Sequence, residues 1–265
     1  MLLWTRRSRV LLWLVFGVLF TAIVLAPLVM IVLASAATAW TGVLPNALTG
    51  ANFAQALSGE TFASLSVSVQ TGLIASAGSV LVGTWAALAA ESAPPRVRRV
   101  VDAAFHLPIA VPSVVLGLAL LVAFSQPPVL LNGTRWIVLI GHLMIVLPFT
   151  YSTVSAALAR TDPQLAQAAA SLGASPARVL LRVRLPVLLP SMSASASLAL
   201  AMSMGELGAT MMLYPPDWQT LPASIYNLTA RGQVFLASAS TVLLLVVTLA
   251  GVVVIGVVRG RAAER

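Results

Sequence analysis

The chain has 265 residues, 59% of them apolar and 8% charged, with a net charge of +8. A water-soluble domain carries about a quarter charged residues, so most of this surface must face an apolar medium, and lipid is the medium that fits. The basic excess does not point to nucleic acid, because the arginines fall in short clusters between long apolar runs instead of forming one basic domain.

An α-helix needs about 20 predominantly apolar residues to cross a hydrocarbon core of about 30 Å. Six stretches qualify, at residues 10–36, 62–90, 104–124, 136–159, 187–213 and 234–258. The expected fold is an all-α integral membrane protein of six transmembrane helices. Trp4, Trp40 and Trp136 fall near the predicted span ends, where aromatic anchors gather.

Arginine counting orients these spans. Arg6, Arg7, Arg9, Arg96, Arg98, Arg99, Arg160, Arg178, Arg182, Arg184, Arg259, Arg261 and Arg265 fall on one side, and Arg135 and Arg231 on the other. Thirteen against two is a positive-inside bias that puts both termini in the cytoplasm. The N-terminal arginines, the apolar run and Ala34-Ser35-Ala36 also resemble a cleavable signal peptide. That apolar run is longer than the roughly 7–15 residues of a signal core, and cleavage would spoil the arginine asymmetry, so it is read as a retained first span.

Three loops then face outward, at residues 37–61, 125–135 and 214–233. The last is rich in turn formers (Pro215, Pro216, Pro222) and carries Trp218 and Tyr226, two candidates for the membrane interface.

The cytoplasmic loop between the fourth and fifth spans is the most informative segment. Asp162-Pro163 reads as a helix start and Gly173 as a helix end, with about ten residues of helix between them. Leu165, Ala168, Ala169 and Leu172 share one face at helical spacing. Ser175-Pro176 begins a second helix that is expected to stop near Pro186. A short helix of small residues can serve as a docking knob for a cytoplasmic partner. It can equally lie on the membrane, helped by Arg178, Arg182 and Arg184.

Polar residues inside the spans are few. Glu206, in Gly205-Glu-Leu-Gly-Ala-Thr210, stands well inside the fifth apolar run, where an unpaired charge costs at least about 2.5–3.5 kcal/mol. It is either a gate or pathway residue or a structural group capping backbone beside Gly205 and Gly208. Ser195 belongs to a serine-rich run, residues 191–197, that allows close helix packing and also offers hydroxyls to a pathway. Gln70 is a weaker pathway candidate. His106 and His142 lack a second ligand at metal spacing and read as hydrogen-bonded packing residues.

Two absences limit the chemistry. Without cysteine there is no disulfide, thiolate nucleophile or Cys metal site. Without lysine there is no Walker A loop in its usual form, so any ATP used for transport must sit on another subunit.

Gln167-Ala168-Ala169, Gly173, Val183 and Leu185-Pro186 resemble the EAA loop of type I ABC importer permeases: Glu-Ala-Ala, three residues, Gly, nine residues, an aliphatic residue, one residue, Leu-Pro. Every spacing holds, and Gln167 replaces the usual Glu. Such a loop implies a cytoplasmic coupling helix seated in a groove of the ATPase subunit, with Leu165, Gln167, Ala168, Ala169, Leu172, Gly173, Ala174 and Pro186 as its docking residues. The resemblance covers residues 62–258 as the transmembrane domain of the type I importer fold. Residues 1–61 remain as a first helix and external loop, and 259–265 as a cytoplasmic tail.

It further implies a non-enzymatic subunit of a bacterial inner-membrane importer with no cofactor of its own, ATP and magnesium residing on the ATPase. A second permease, expected to be a different chain, and an external solute-binding protein complete the assembly. The segment 205–232 looks most like 2-aminoethylphosphonate permeases. Sulfate, molybdate, ferric iron and thiamine are the alternative substrates. A different class, an ion-coupled secondary transporter, would show internal repeats or networks of intramembrane carboxylates, and the spans carry Glu206 alone.

Overall fold

Backbone groups in lipid must find their hydrogen bonds within the segment, which leaves apolar runs of this length as helices. In the computed structural model helix follows helix, and the one extended pairing among the described residues is a bridge between Ala37 and Leu48. Residues 6–263 are described, without the side chains of Arg7 and residues 258–263. Trp4 and Arg265, and the side chains of Arg7, Arg259 and Arg261, lie outside the described residues.

The chain divides into two compact units, Met1–Ala63 with Ser224–Leu244, and Ser64–Ala223 with Leu245–Arg265. In the first unit, α1 (Arg6–Phe20), a wide π-turn (Thr21–Leu25) and α2 (Ala26–Ser35) form the first apolar span. Its large apolar side chains from Val10 to Val32 are exposed, apart from the half-buried Ile31. The loop that follows is folded. Thr38 N–H donates to the Ala47 carbonyl at 3.1 Å and Asn46 N–H to that of Ala39 at 3.0 Å. The Asn52 amide closes the loop by donating to the carbonyls of Ser35 (3.0 Å) and Ala37 (2.9 Å). The short α3 (Ala51–Ala56) adds Ala56 to a small core with Leu236 and Ala239.

The second unit takes most of α4 (Gly59–Glu91), then α5 (Pro95–His106), a 3-10 turn (Leu107–Ala110), α6 (Ser113–Ala123) and α7 (Arg135–Leu158). The hairpin α8 (Gln164–Ser171) and α9 (Pro176–Val179), a π-turn (Leu180–Arg184), α10 (Leu185–Met204) and α11 (Gly208–Leu213) follow. Two further helices, α12 (Leu221–Ala230) and α13 (Val234–Ala263), are shared between the units. Of the span-length helices, α7 is the most buried. One end packs Tyr151, Val154 and Leu158 against Ala87, Leu88 and Leu188, and the other packs Ile137 and Val138 against Leu116, Leu120, Ala209 and Leu213.

Four sequence expectations are corrected here. The third span, placed at residues 104–124, is not one straight helix: Pro95–Ala110 and Ser113–Ala123 meet at 108°. Pro112 lacks the amide that would continue the helix, and it holds Val111 extended. Five helices are long and apolar enough to cross a bilayer, or six if this bent pair counts as one. The fifth span, placed at 187–213, stops at Met204 and restarts at Gly208.

The helix from Pro176 does not end near Pro186 but runs on to Met204. In the π-turn, Leu185 N–H bonds to the Leu180 carbonyl, five residues back. The regular ladder is therefore already interrupted where Pro186 has no N–H to give. Finally, Trp218 is not an interfacial anchor. It is 9% exposed, and its indole N–H donates to Thr71 Oγ1 at 3.0 Å. Tyr226 is exposed.

Candidate functional site

Two places in the second unit hold most of the predicted functional residues. The first is the α8–α9 hairpin. Asp162 Oδ1 accepts from Gln164 N–H at 2.9 Å and starts the helix. Gly173 ends it with φ +81°, a left-handed conformation that suits glycine. Gly173 N–H bonds to the Ala170 carbonyl (2.9 Å) and Ala174 N–H to that of Ala169 (3.1 Å), the paired bonds of a Schellman stop.

This short capped helix exposes apolar side chains. Leu172 is 89% exposed and Leu165 50% exposed, with Gln167 and Ala168 also exposed. Ala169 and Ala174 are half-buried, so the predicted stripe is turned partly inward at Ala169. Pro186 lies apart from the hairpin, near the start of α10. A cavity of about 230 Å³ lies under α8, lined by Leu165, Ala166 and Gln167 on one side and by Glu91, Val183 and Arg184 on the other. Arg184 and Glu91 form an ion pair there that joins the π-turn to the end of α4.

The second place is the break between α10 and α11. Glu206 stands in it, half-buried, and its Oε1 accepts from Ala209 N–H at 2.8 Å, which caps the first turn of α11. His142 of α7, 1% exposed, spans the same break. Nδ1 lies 2.7 Å from Ser203 Oγ, at the end of α10, and Nε2 lies 2.9 Å from Thr210 Oγ1 on α11. Both ring nitrogens are thus engaged. α11 also packs closely on α6, where Gly117 lets the two helices touch: a Cβ there would lie 2.8 Å from Ala209 Cα.

The other two pathway candidates are bonded locally. Ser195 is 1% exposed and donates to the Met192 carbonyl at 2.8 Å. Gln70 is exposed on α4, its amide 3.1 Å from Ser66 Oγ. His106 ends α5, with Nε2 at 2.9 Å from Ser152 Oγ and Nδ1 at 2.7 Å from the Asp102 carbonyl. Asp102 accepts from the Tyr151 hydroxyl, and Phe105 stacks on Tyr151 at 4.5 Å, so α5 is pinned to α7.

Sequence reasoning missed the partnerships of His142, Glu91 and Trp218. An ionisable group in or beside an apolar run marks the first two, but their partners lie about 60 to 90 residues away. Among the described residues no cluster of three or more His, Asp or Glu side chains forms a metal site.

The fold matches the crystal structure of a bacterial alginate ABC transporter in complex with an alginate pentasaccharide-bound periplasmic protein. The TM-score is 0.74 at 17% identity, covering 98% of this chain and 96% of that one. Among curated relatives, the "Putative 2-aminoethylphosphonate transport system permease protein PhnV" of Salmonella typhimurium is 43% identical over 249 residues, 94% of either chain. The "Putative molybdenum transport system permease protein YvgM" of Bacillus subtilis is 29% identical over 205 residues, 71% of this chain and 89% of that one. Residues 79–262 match the family described as binding-protein-dependent transport system inner membrane component. With its EAA-type loop on an exposed helical hairpin, the chain belongs to that family, the permeases of ABC importers.

Proposed function

We propose that this permease forms half of the translocation pathway of an ATP-driven importer for 2-aminoethylphosphonate or a related phosphonate. The observation that carries the substrate is the 43% identity to PhnV across 94% of both chains, against 29% to the molybdenum permease. Both termini and the α8–α9 hairpin lie in the cytoplasm, a placement supported by the arginine asymmetry. α8 docks in a separate ATPase that holds ATP and magnesium, and closure of the ATPase dimer moves the hairpin. Binding energy available only in the closed state then biases the spans between two arrangements. A second, different permease supplies the other wall, and an external binding protein delivers the solute. Glu206 stands at the gate of the pathway, with Gln70 and Ser195 along it.

The test is to purify the complex with its partners and measure which ligand its binding protein retains. A tightly held 2-aminoethylphosphonate, with two permease species in the complex, is expected. Molybdate, sulfate, ferric iron or thiamine in its place would overturn the substrate, and a single permease species would overturn the heterodimer.

A further inference from the structure

We propose that Glu91 and Arg184 form a strut that passes movement of the α8–α9 hairpin to α4 as well as to α10. The proposal rests on reading α8 as the element that docks on the ATPase. The hairpin is covalently continuous with α10, through the π-turn Leu180–Arg184. Its connection to α4 is made through side chains, by a shared apolar core in which Ala87, Leu88 and Ala90 lie with Leu180, Leu185 and Leu188, and by one ion pair.

Three observations single out the pair as the directional part of that connection, since apolar contacts can slide where a charge-assisted bond cannot. Two ion pairs are present among the described residues. Arg98–Asp102 lies within one turn of α5, whereas Arg184–Glu91 joins two elements far apart in sequence. Second, Glu91 is the last residue of α4, where the negative end of the helix dipole disfavours a carboxylate. A residue held against that local preference needs a partner, and the Arg184 guanidinium supplies it in a charge-assisted hydrogen bond. Third, Arg184 closes the π-turn, a wide turn that re-aims side chains and recurs at functional joints.

The surroundings give the strut a role. α8, Gln-Leu-Ala-Gln-Ala-Ala-Ala-Ser, carries no charge with which to grip the helices beside it. The cavity of about 230 Å³ between α8 and the pair leaves the hairpin room to shift without first breaking a packed interface. With 31% and 33% of their side chains exposed, Arg184 and Glu91 are partly screened by solvent, so the pair contributes little to folding. Its value lies in connecting the two helices.

The chain is free of cysteine, which makes site-directed spin labels direct reporters. Labels at Leu81→Cys on α4 and at Val187→Cys on α10 would each be paired with Val122→Cys on α6, in the full complex with cysteine-free partners. Electron–electron distances are then read before and after trapping with ATP and vanadate. In the otherwise unaltered chain both distances shift, by at least about 2 Å. In Glu91→Gln or Arg184→Gln the α10 shift persists and the α4 shift is lost. In the swap Glu91→Arg with Arg184→Glu the α4 shift returns.

Persistence of the α4 shift in the glutamine variants would overturn the strut. So would loss of both shifts, failure of the swap to restore the α4 shift, or failure of the glutamine variants to assemble. Absence of any nucleotide-dependent shift in the unaltered chain would instead overturn the importer reading beneath it.

Discussion

The imidazole of His142 lies 2.7 Å from the hydroxyl of Ser203, and its other nitrogen reaches Thr210 on the far side of the break at Glu206. One side chain from α7 thus holds the ends of two helices in register. His142→Leu removes both bonds and takes the partner from the buried Ser203 hydroxyl, while Thr210 keeps a long bond of 3.4 Å to the Glu206 carbonyl. Interhelical hydrogen bonds in membranes contribute about 0.6 kcal/mol on average and up to about 1.7, so the loss is about 1–3 kcal/mol. His142→Gln, which keeps a donor and an acceptor, recovers part of it. The thermal midpoint of the purified complex in detergent is the measure, and an unchanged midpoint in His142→Leu would remove the staple.

Gly117 and Gly17 predict opposite signs for the same substitution. A Cβ at Gly117 meets the Ala209 backbone, 2.8 Å from Cα and 2.9 Å from the carbonyl oxygen, and backbone cannot step aside as a flexible side chain can. Gly117→Ala is therefore expected to destabilise by about 1–3 kcal/mol through overpacking. Gly17, on the exposed first span, has nothing within 4 Å. Gly17→Ala gains the helix preference of alanine, about 0.5–1 kcal/mol. A Gly117→Ala variant that melts at or above the unaltered protein, as Gly17→Ala is expected to, would show that α6 and α11 do not touch at Gly117.

The contrast between these glycines is invisible in sequence, and that explains what was legible. Hydropathy sums composition over a window, so the apolar helical stretches came through though not their breaks, and Asp162 and Gly173 marked the ends of α8 because caps are local chemistry. Direction is not composition. The 108° bend after Ala110 and the break at Glu206 lie in runs as apolar as a straight helix. Pro186 argued for a stop, and a π-turn five residues wide absorbed it. Trp218 looked interfacial because its partner Thr71 is 147 positions away.

At Leu172 the proposed docking role can be separated from folding. At 89% exposure it makes little packing contact, and substitution at such a surface position changes stability by about 0.5 kcal/mol or less. Leu172→Asp is expected to leave the melting temperature of the isolated permease unchanged. Its recovery of the ATPase on affinity purification falls at least about tenfold, the consequence of losing roughly 1.4 kcal/mol or more of interface energy. Normal recovery would place the docking contact elsewhere on the hairpin.

Glu206 has an observed role as a cap and a proposed one as a gate, and the two are separable. As a cap it needs only an oxygen acceptor for Ala209 N–H, now at 2.8 Å, and glutamine offers one. Glu206→Gln should therefore melt with the unaltered protein, whereas Glu206→Ala loses about 1 kcal/mol, the usual worth of a helix cap. As a gate it needs its charge, so Glu206→Gln is expected to cut substrate uptake at least about tenfold, equivalent to about 1.4 kcal/mol at the limiting step. The glutamine variant is decisive because it holds the cap fixed while removing the charge. Full uptake in Glu206→Gln at normal abundance would leave the carboxylate as the cap of α11 and nothing more.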